Sequence, residues 1–217
     1  MPEKIHIQWF RQDLRLADNP ALSHAAESGS VIPVYILDQV HGGDHRPGGA
    51  SRWWLHHSLK ALDESLQGNL NVFQGDPKQI LQSLSKKHRA SGIFWNRCYE
   101  SWSRNRDASI KQFFKEKGME AESFNGSLLW EPMEVLKSDD TPYRVFTPFF
   151  RNACLNAPPP REPLPVPKNL SLLKSELSES VESLGLLPKV RWDRKIEPHW
   201  RVSEEGGQEK MLEFFEK

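Results

Sequence analysis

The sequence predicts an α/β fold: a doubly wound, five-stranded parallel sheet in the order 3-2-1-4-5, Rossmann-like, with helices on both faces. Three observations carry this reading. Five short apolar runs alternate with longer stretches whose apolar residues recur at helical spacing. Two of those stretches open on a capping residue followed by proline, and one closes on glycine. Strands that each lead into a helix join through right-handed crossovers, which places them parallel in one sheet.

Ile5, Ile7, Trp9 and Phe10 form the first strand, and Asp18, Asn19 and Pro20 start the first helix. VIPVYILD (31–38) is the apolar, β-branched run that a strand buried on both faces requires, and it ends on an acid. In GGASRWWLHHSLKALDESLQG, Leu55, Leu59, Leu62 and Leu66 are spaced by four, three and four, one continuous helical stripe. NLNVFQG (69–75) is the third strand, and Asp76–Pro77 opens a helix whose Ile80, Leu81 and Leu84 face inward. GIFWN (92–96) is the fourth strand. SWSRNRDASIKQFFKEKG follows as a helix stopped by Gly118, and MEAESF (119–124) is the fifth strand.

The remaining chain differs in character. Between Ala157 and Lys168 every second residue on average is proline, which favours extended chain. We expect an α/β domain over 1–156, a Pro-rich and acidic linker over 157–203, and the truncated start of a further, helical domain over 204–217. Within the linker, LLKSELSESVESLGLL is expected as a marginal acidic helix and EPHWRVSEEGG as irregular. The closing QEKMLEFFEK has Met211, Leu212, Phe214 and Phe215 on its apolar face, too short a helix to bury them alone.

Composition narrows the function classes. The 29 basic and 29 acidic side chains balance, so the strong positive field of a non-specific phosphate binder is absent. Cys98 and Cys154 have no paired spacing and are expected as free thiols in a reducing compartment. MPEKIHIQWF has no apolar signal core, and the expectation is a soluble, cytoplasmic protein. Neither G-x-G-x-x-G nor the P-loop signature occurs. His41, His45, His56 and His57 are read as surface residues and no metal site is expected, because adjacent helical positions diverge and no acid or cysteine completes a ligand set. Trp9, Trp53, Trp54 and Trp95 are assigned to packing, and Trp130 and Trp192 to covering a domain junction.

In an open sheet of this order, ligands sit where the chain reverses, above the carboxyl ends of strands one and four. The loops RQDLR and NRCYESWSRNRD border that crevice. WFRQDLRLADNPAL after the first strand, ASRWWLHHSL in the second helix, WNRCYESWSRNRD after the fourth strand and YRVFTPFFRN at 143–152 together resemble, in order and spacing, the amino-terminal domain of the DNA photolyase and cryptochrome family. EEGGQEKMLEFFEK is similar to the lead-in of the family's helical domain.

The resemblance implies an antenna domain, which holds a light-harvesting pigment and passes excitation to FAD in a helical domain. That helical domain also grips DNA and receives the flipped pyrimidine dimer. The implied function is that of a photolyase, a carbon–carbon lyase repairing pyrimidine dimers, with no activity expected of these residues alone. A cryptochrome-type blue-light signalling module and a stand-alone nucleotide-binding α/β domain are the alternatives. No catalytic residue is assigned. The pigment site implied comprises Arg11, Gln12 and Asp13, Tyr35 and Asp38, Arg52, and Cys98, Glu100, Trp102 and Arg106. Folate-binding relatives carry an Asn–Glu pair where this chain has Trp102 and Ser103. Deazaflavin-binding relatives carry an acid at the position of Cys98 and an arginine at that of Gln12. Methenyltetrahydrofolate is placed first on its frequency in the family, with 8-hydroxy-deazaflavin or FMN as alternatives.

Overall fold

A computed structural model of the chain describes residues 4–27 and 29–216. Its centre is a five-stranded, wholly parallel sheet in the order β3-β2-β1-β4-β5. The strands are β1 (Lys4–Phe10), β2 (Gly29–Asp38), β3 (Asn71–Gly75), β4 (Gly92–Asn96) and β5 (Glu120–Phe124). Helices α1 (Pro20–Glu27), α2 (Gly49–Ser65), α3 (Pro77–His88) and α4 (Ser101–Glu116) form the crossovers. The predicted fold class and strand order are therefore observed.

Both faces of the sheet are covered. On one face Phe10, Tyr35 and Phe94 pack under Leu22 and Ala25 of α1 and Leu59 and Leu62 of α2. On the other, Trp9, Ile36 and Trp95 pack under Leu81 and Leu84 of α3 and Ile110 and Phe114 of α4. Fully buried side chains of this size each contribute roughly 1.5–3 kcal/mol, so the central strands read as continuous apolar runs for an energetic reason. Asp76 caps α3, its carboxylate accepting from the Lys78 N–H with Pro77 at the first helical position, as the sequence signals.

The Pro-rich region is extended but not detached. From Leu170 to Leu186 it runs as a strap along the sheet edge. The Val31 N–H donates to the Ser171 carbonyl at 2.8 Å, and the Leu173 N–H donates to the Val31 carbonyl at 2.9 Å. Further on, the Glu179 N–H donates to the Val72 carbonyl at 2.9 Å. The reason is a gap: β3 begins pairing only at Val34, which leaves the start of β2 without a neighbour on that side. N–H groups alternate sides along a strand, so Pro33, two residues after Val31, puts its missing donor where strap gives way to β3. Asn71 locks this corner. Its amide donates to the Pro33 and Leu173 carbonyls, each at 3.0 Å, and its carbonyl accepts from the Ser175 N–H at 2.6 Å.

The acidic stretch 172–187 is thus not the helix expected of it. Apart from a turn at 176–177 and a 3-10 turn at Glu182–Leu184 it has no helix, and Val181, Leu184 and Leu186 are buried in the core beside α2.

Three further expectations are corrected. His56 is buried rather than superficial, since it shares the inward face of α2 with Trp53 and Leu59. Trp54, assigned to the core, is 43% exposed and meets Trp200 edge-on at 5.4 Å. The closing helix begins earlier than expected, α6 running from Glu204 to Phe215, because Ser203 accepts from the Gly206 N–H as its cap. Lys217 lies outside the described residues. Between β5 and the strap, Phe146–Pro148 (α5) continues into a π-helical turn at Phe149–Cys154. No helix among the described residues is long and apolar enough to cross a membrane.

Replacing Asn71 by Ala removes the side-chain partner of four backbone groups, the Pro33, Asn69 and Leu173 carbonyls and the Ser175 N–H. We expect a loss of about 2–3 kcal/mol in urea unfolding, with hydrogen exchange accelerating first in residues 171–179. Unchanged protection of the strap would contradict its role as the lock.

Candidate functional site

The crevice is assembled from the carboxyl ends of β1, β2 and β4. β1 runs straight into Arg11, whose guanidinium turns inward and donates to the Asp107 carboxylate and the Asn96 carbonyl. Asp107 also accepts from Arg106, at 3.0 Å from Nε and 2.8 Å from Nη2, so one carboxylate joins two guanidinium groups. Arg106 in turn donates to Asp38 Oδ2 at 3.0 Å. All four side chains are buried, at 11% exposure or less. The Arg11 and Arg106 guanidinium groups lie 4.9 and 4.8 Å from the Trp9 ring, and Arg106 also lies 5.1 Å from Trp102.

A second network, built on Asp13 and Asn96, holds the loop after β1. Asp13 accepts from the Arg11 N–H at 2.9 Å and from the Asn96 amide at 2.6 Å. Asn96 also donates to Asn19 Oδ1 at 2.7 Å and accepts from the Ala21 N–H at 3.2 Å. Gly126 lies so close that a Cβ there would come within 2.6 Å of the Asn96 side chain, which explains a glycine at that place. Its carbonyl accepts from Arg15 at 2.6 Å.

Across the top, Gln12 donates to Glu100 at 2.9 Å and joins the two crevice loops directly. That hydrogen bond holds the Glu100 carboxyl below its ordinary range. Burial, reinforced by the Asp38 charge, pushes the Tyr35 phenol well up, so it stays protonated and able to donate. Burial likewise pushes the Cys98 thiol up, which makes it a packing group rather than a nucleophile. For Asp38, burial acts upward, but hydrogen bonds from the His41 N–H, Arg106, the Val40 N–H and the His41 ring outweigh it and hold the carboxyl below its ordinary range.

Two hollows open here. The narrower, about 180 Å³, is walled by Trp9, Trp102, Arg106, Tyr35 and Cys98. The wider, about 470 Å³, lies between the β1 loop, α2 and the start of α6. Arg11, Gln12, Tyr35 and Pro47 line both, so the hollows are adjoining compartments.

Of the ten residues anticipated, nine converge here. Asp13 and Glu100 do so without lining either hollow, Asp13 as a loop brace and Glu100 through its hydrogen bond from Gln12. The exception is Arg52, whose side chain points away and donates to the Gly185 carbonyl at 2.7 Å, pinning the strap. Sequence reasoning missed Asp107 and Asn96. Asn96 had a signal, a polar residue closing a wholly apolar strand. Asp107 sits next to Arg106 in the quoted motif, but its two-armed role emerges only when β1 and α4 are brought together. Val202, Ser203 and Glu204 also line the wider hollow and were not anticipated; Glu204 accepts from the Leu16 and Ala17 N–H groups at 2.8 and 3.1 Å.

The sheet order and the crevice at its point of reversal define a doubly wound α/β domain with a ligand-sized hollow. The family model described as DNA photolyase matches residues 6–168, and the chain belongs to that family. It is 40% identical over 216 residues to the deoxyribodipyrimidine photo-lyase of Agrobacterium fabrum, covering 97% of this chain and 44% of that protein. It is 38% identical over 169 residues to Cryptochrome-1 of Arabidopsis thaliana, covering 76% of this chain and 25% of that one. Among solved structures, a bacterial class III photolyase from Agrobacterium tumefaciens superposes with a TM-score of 0.89 at 37% identity, covering 100% of this chain and 45% of that one. An archaeal photolyase from Sulfolobus tokodaii gives 0.69 at 26% identity, over 85% of this chain and 42% of its own. The chain therefore spans less than half the length of these relatives.

Asp107→Ala leaves two guanidinium groups buried without their shared partner, and we expect a loss of about 3–5 kcal/mol in denaturant unfolding. A loss below about 1 kcal/mol would show the bridge to be incidental. Asp38 carries a sign that can be checked. Its folded-state value lies below the unfolded value of about 3.9, so its contribution is complete above that pH and is lost as pH falls through the folded value. Acid unfolding of Asp38→Asn should therefore be less steep below pH of about 4 than that of the parent chain.

Proposed function

We propose that this chain is the antenna-pigment module of a DNA photolyase, with the pigment in the two adjoining hollows above β1 and β4. The observation that carries the proposal is the pairing of an aromatic, cation-lined slot with a wider neighbour across Gln12 and Tyr35. Together they fall in the range of about 300–1,000 Å³ typical of ligand sites. Trp9, Trp102 and Arg106 offer faces on which a flat ring system stacks; Tyr35 and Gln12 supply directed polar contacts that fix its edge. Rigid walls and excluded water are what a light-harvesting pigment needs to pass excitation on instead of losing it as heat.

The pigment proposed first is methenyltetrahydrofolate: its flat head suits the slot and its longer tail the wider compartment. 8-Hydroxy-deazaflavin or FMN are the other candidates. The archaeal relative is described as holding two FAD molecules, with the implication of a novel light-harvesting cofactor, which supports a pigment of flavin type as an alternative. In this reading residues 1–156 form the pigment domain and 157–203 the connection. Residues 204–217 lead to a helical unit that holds FAD, contacts DNA and carries out dimer cleavage, in the cytoplasm. The 38% identity to a cryptochrome favours a second reading, a blue-light signalling module on the same scaffold. Dimer repair under blue light by the complete gene product separates the two.

Gently purified protein, or protein reconstituted with each pigment, should show the near-ultraviolet or visible bands of one of them; a chain that stays colourless throughout would overturn the proposal. Trp102→Ala should lower retained pigment severalfold while moving stability by less than about 1 kcal/mol. Arg52→Ala should instead weaken the strap and leave pigment content unchanged.

A further inference from the structure

At the end of the sheet opposite the crevice, α1 crosses the beginning of the edge strand β5 and brings together three side chains that the pigment site does not use. The His24 ring, Glu120 and Glu122 each present one donor atom, and the three atoms lie within 4.8 Å of one another. Glu120 and Glu122 are two residues apart on β5 and so project from the same face of the sheet, the face on which α1 lies. His24 is held in place: its ring meets Phe94 edge-on at 4.6 Å and Phe124 at 5.0 Å.

Charged side chains on an edge strand discourage pairing with another sheet. That accounts for two glutamates but not for their convergence on an imidazole. Among the described residues no hydrogen-bond donor satisfies either carboxylate. The nearest imidazole nitrogen, His24 Nε2, stands 3.7 Å from Glu120 Oε1, and Lys111 directs its ammonium to Ser123 Oγ at 3.3 Å. Two like charges are thus brought side by side with no hydrogen bond to either, faced only at longer range by the His24 ring and the Lys111 charge.

The geometry points to a divalent-cation site formed by His24, Glu120 and Glu122, with Zn²⁺ the ion it fits best. Ligands at about 2.0–2.2 Å around a tetrahedral ion stand about 3.3–3.6 Å from each other, close to the His24–Glu120 separation. One neutral imidazole and two carboxylates cancel the charge of a divalent ion, and exposure of both glutamates leaves the fourth position to water. A bound ion would tie α1 to β5, two elements otherwise joined by side-chain packing, and close the open side of the sheet.

The test is equilibrium dialysis of the chain against Zn²⁺, with thermal unfolding in parallel. His24→Phe keeps an aromatic ring on Phe94 and Phe124 while removing the ligand; Glu122→Gln is an exposed change that does not disturb the core. We expect the parent to bind zinc and to unfold at a higher temperature with it, and each variant to bind about tenfold more weakly or worse and to lose that thermal shift. Variants that hold as much zinc as the parent, or keep its thermal shift, would place the ion elsewhere, for example at His41 beside Asp38, and overturn the site.

Discussion

One carboxylate, Asp107, receives the guanidinium groups of Arg11 and Arg106, and the crevice takes its form from that choice. Two cations held against the Trp9 ring would repel each other and be costly to desolvate; a shared anion between them, with Asp38 beyond, makes their burial tolerable. Because Arg11 ends β1 and Arg106 and Asp107 sit in α4, the same contact fixes the angle between the first strand and the fourth helix. The walls of the narrow hollow are therefore set by charge pairing as well as by the apolar packing of Trp9 and Tyr35.

That dependence explains which parts were legible in the sequence. The alternation of apolar runs with helical stripes, Asp76–Pro77 and Gly118 are local signals, and the elements they announce are present. The crevice residues after β1 and β4 were legible because strand order alone decides which loops meet. Asp107 was not, since its partners are 96 residues apart in one case and adjacent in the other, and no spacing rule marks such a bridge. Arg52 carried the opposite error: placement on α2 suggested the crevice, but an arginine reaches far enough to serve either side, and the Gly185 carbonyl holds it on the strap.

The strap shows composition and topology disagreeing. The prolines between 157 and 168 read as extended chain and the acids over 172–187 as a marginal helix; but β2 is longer than β3, and the exposed start of a central strand needs a partner for its backbone groups. Ser171 to Leu173 supply it, while Val181, Leu184 and Leu186 fill the groove beside α2. A helix over 172–187 would have satisfied its own backbone and left the sheet edge open. The demand of the sheet outweighs the weak local preference for helix.

The start of α6 joins these themes. Glu204 takes the Leu16 and Ala17 N–H groups just beyond the β1 loop, Asp18 takes the Leu164 N–H, and Val202 to Glu204 line the wider hollow. Beyond this anchored turn the helix exposes Met211, Leu212, Phe214 and Phe215, at 53, 58, 75 and 75%. A twelve-residue helix with its apolar side in water is marginal by itself, so its orientation is set almost wholly by the anchored end. A ligand that fills the wider hollow touches that anchor and α2 at once. The shape of that hollow is therefore set in part by Glu204, which holds the start of α6 against the loop after β1.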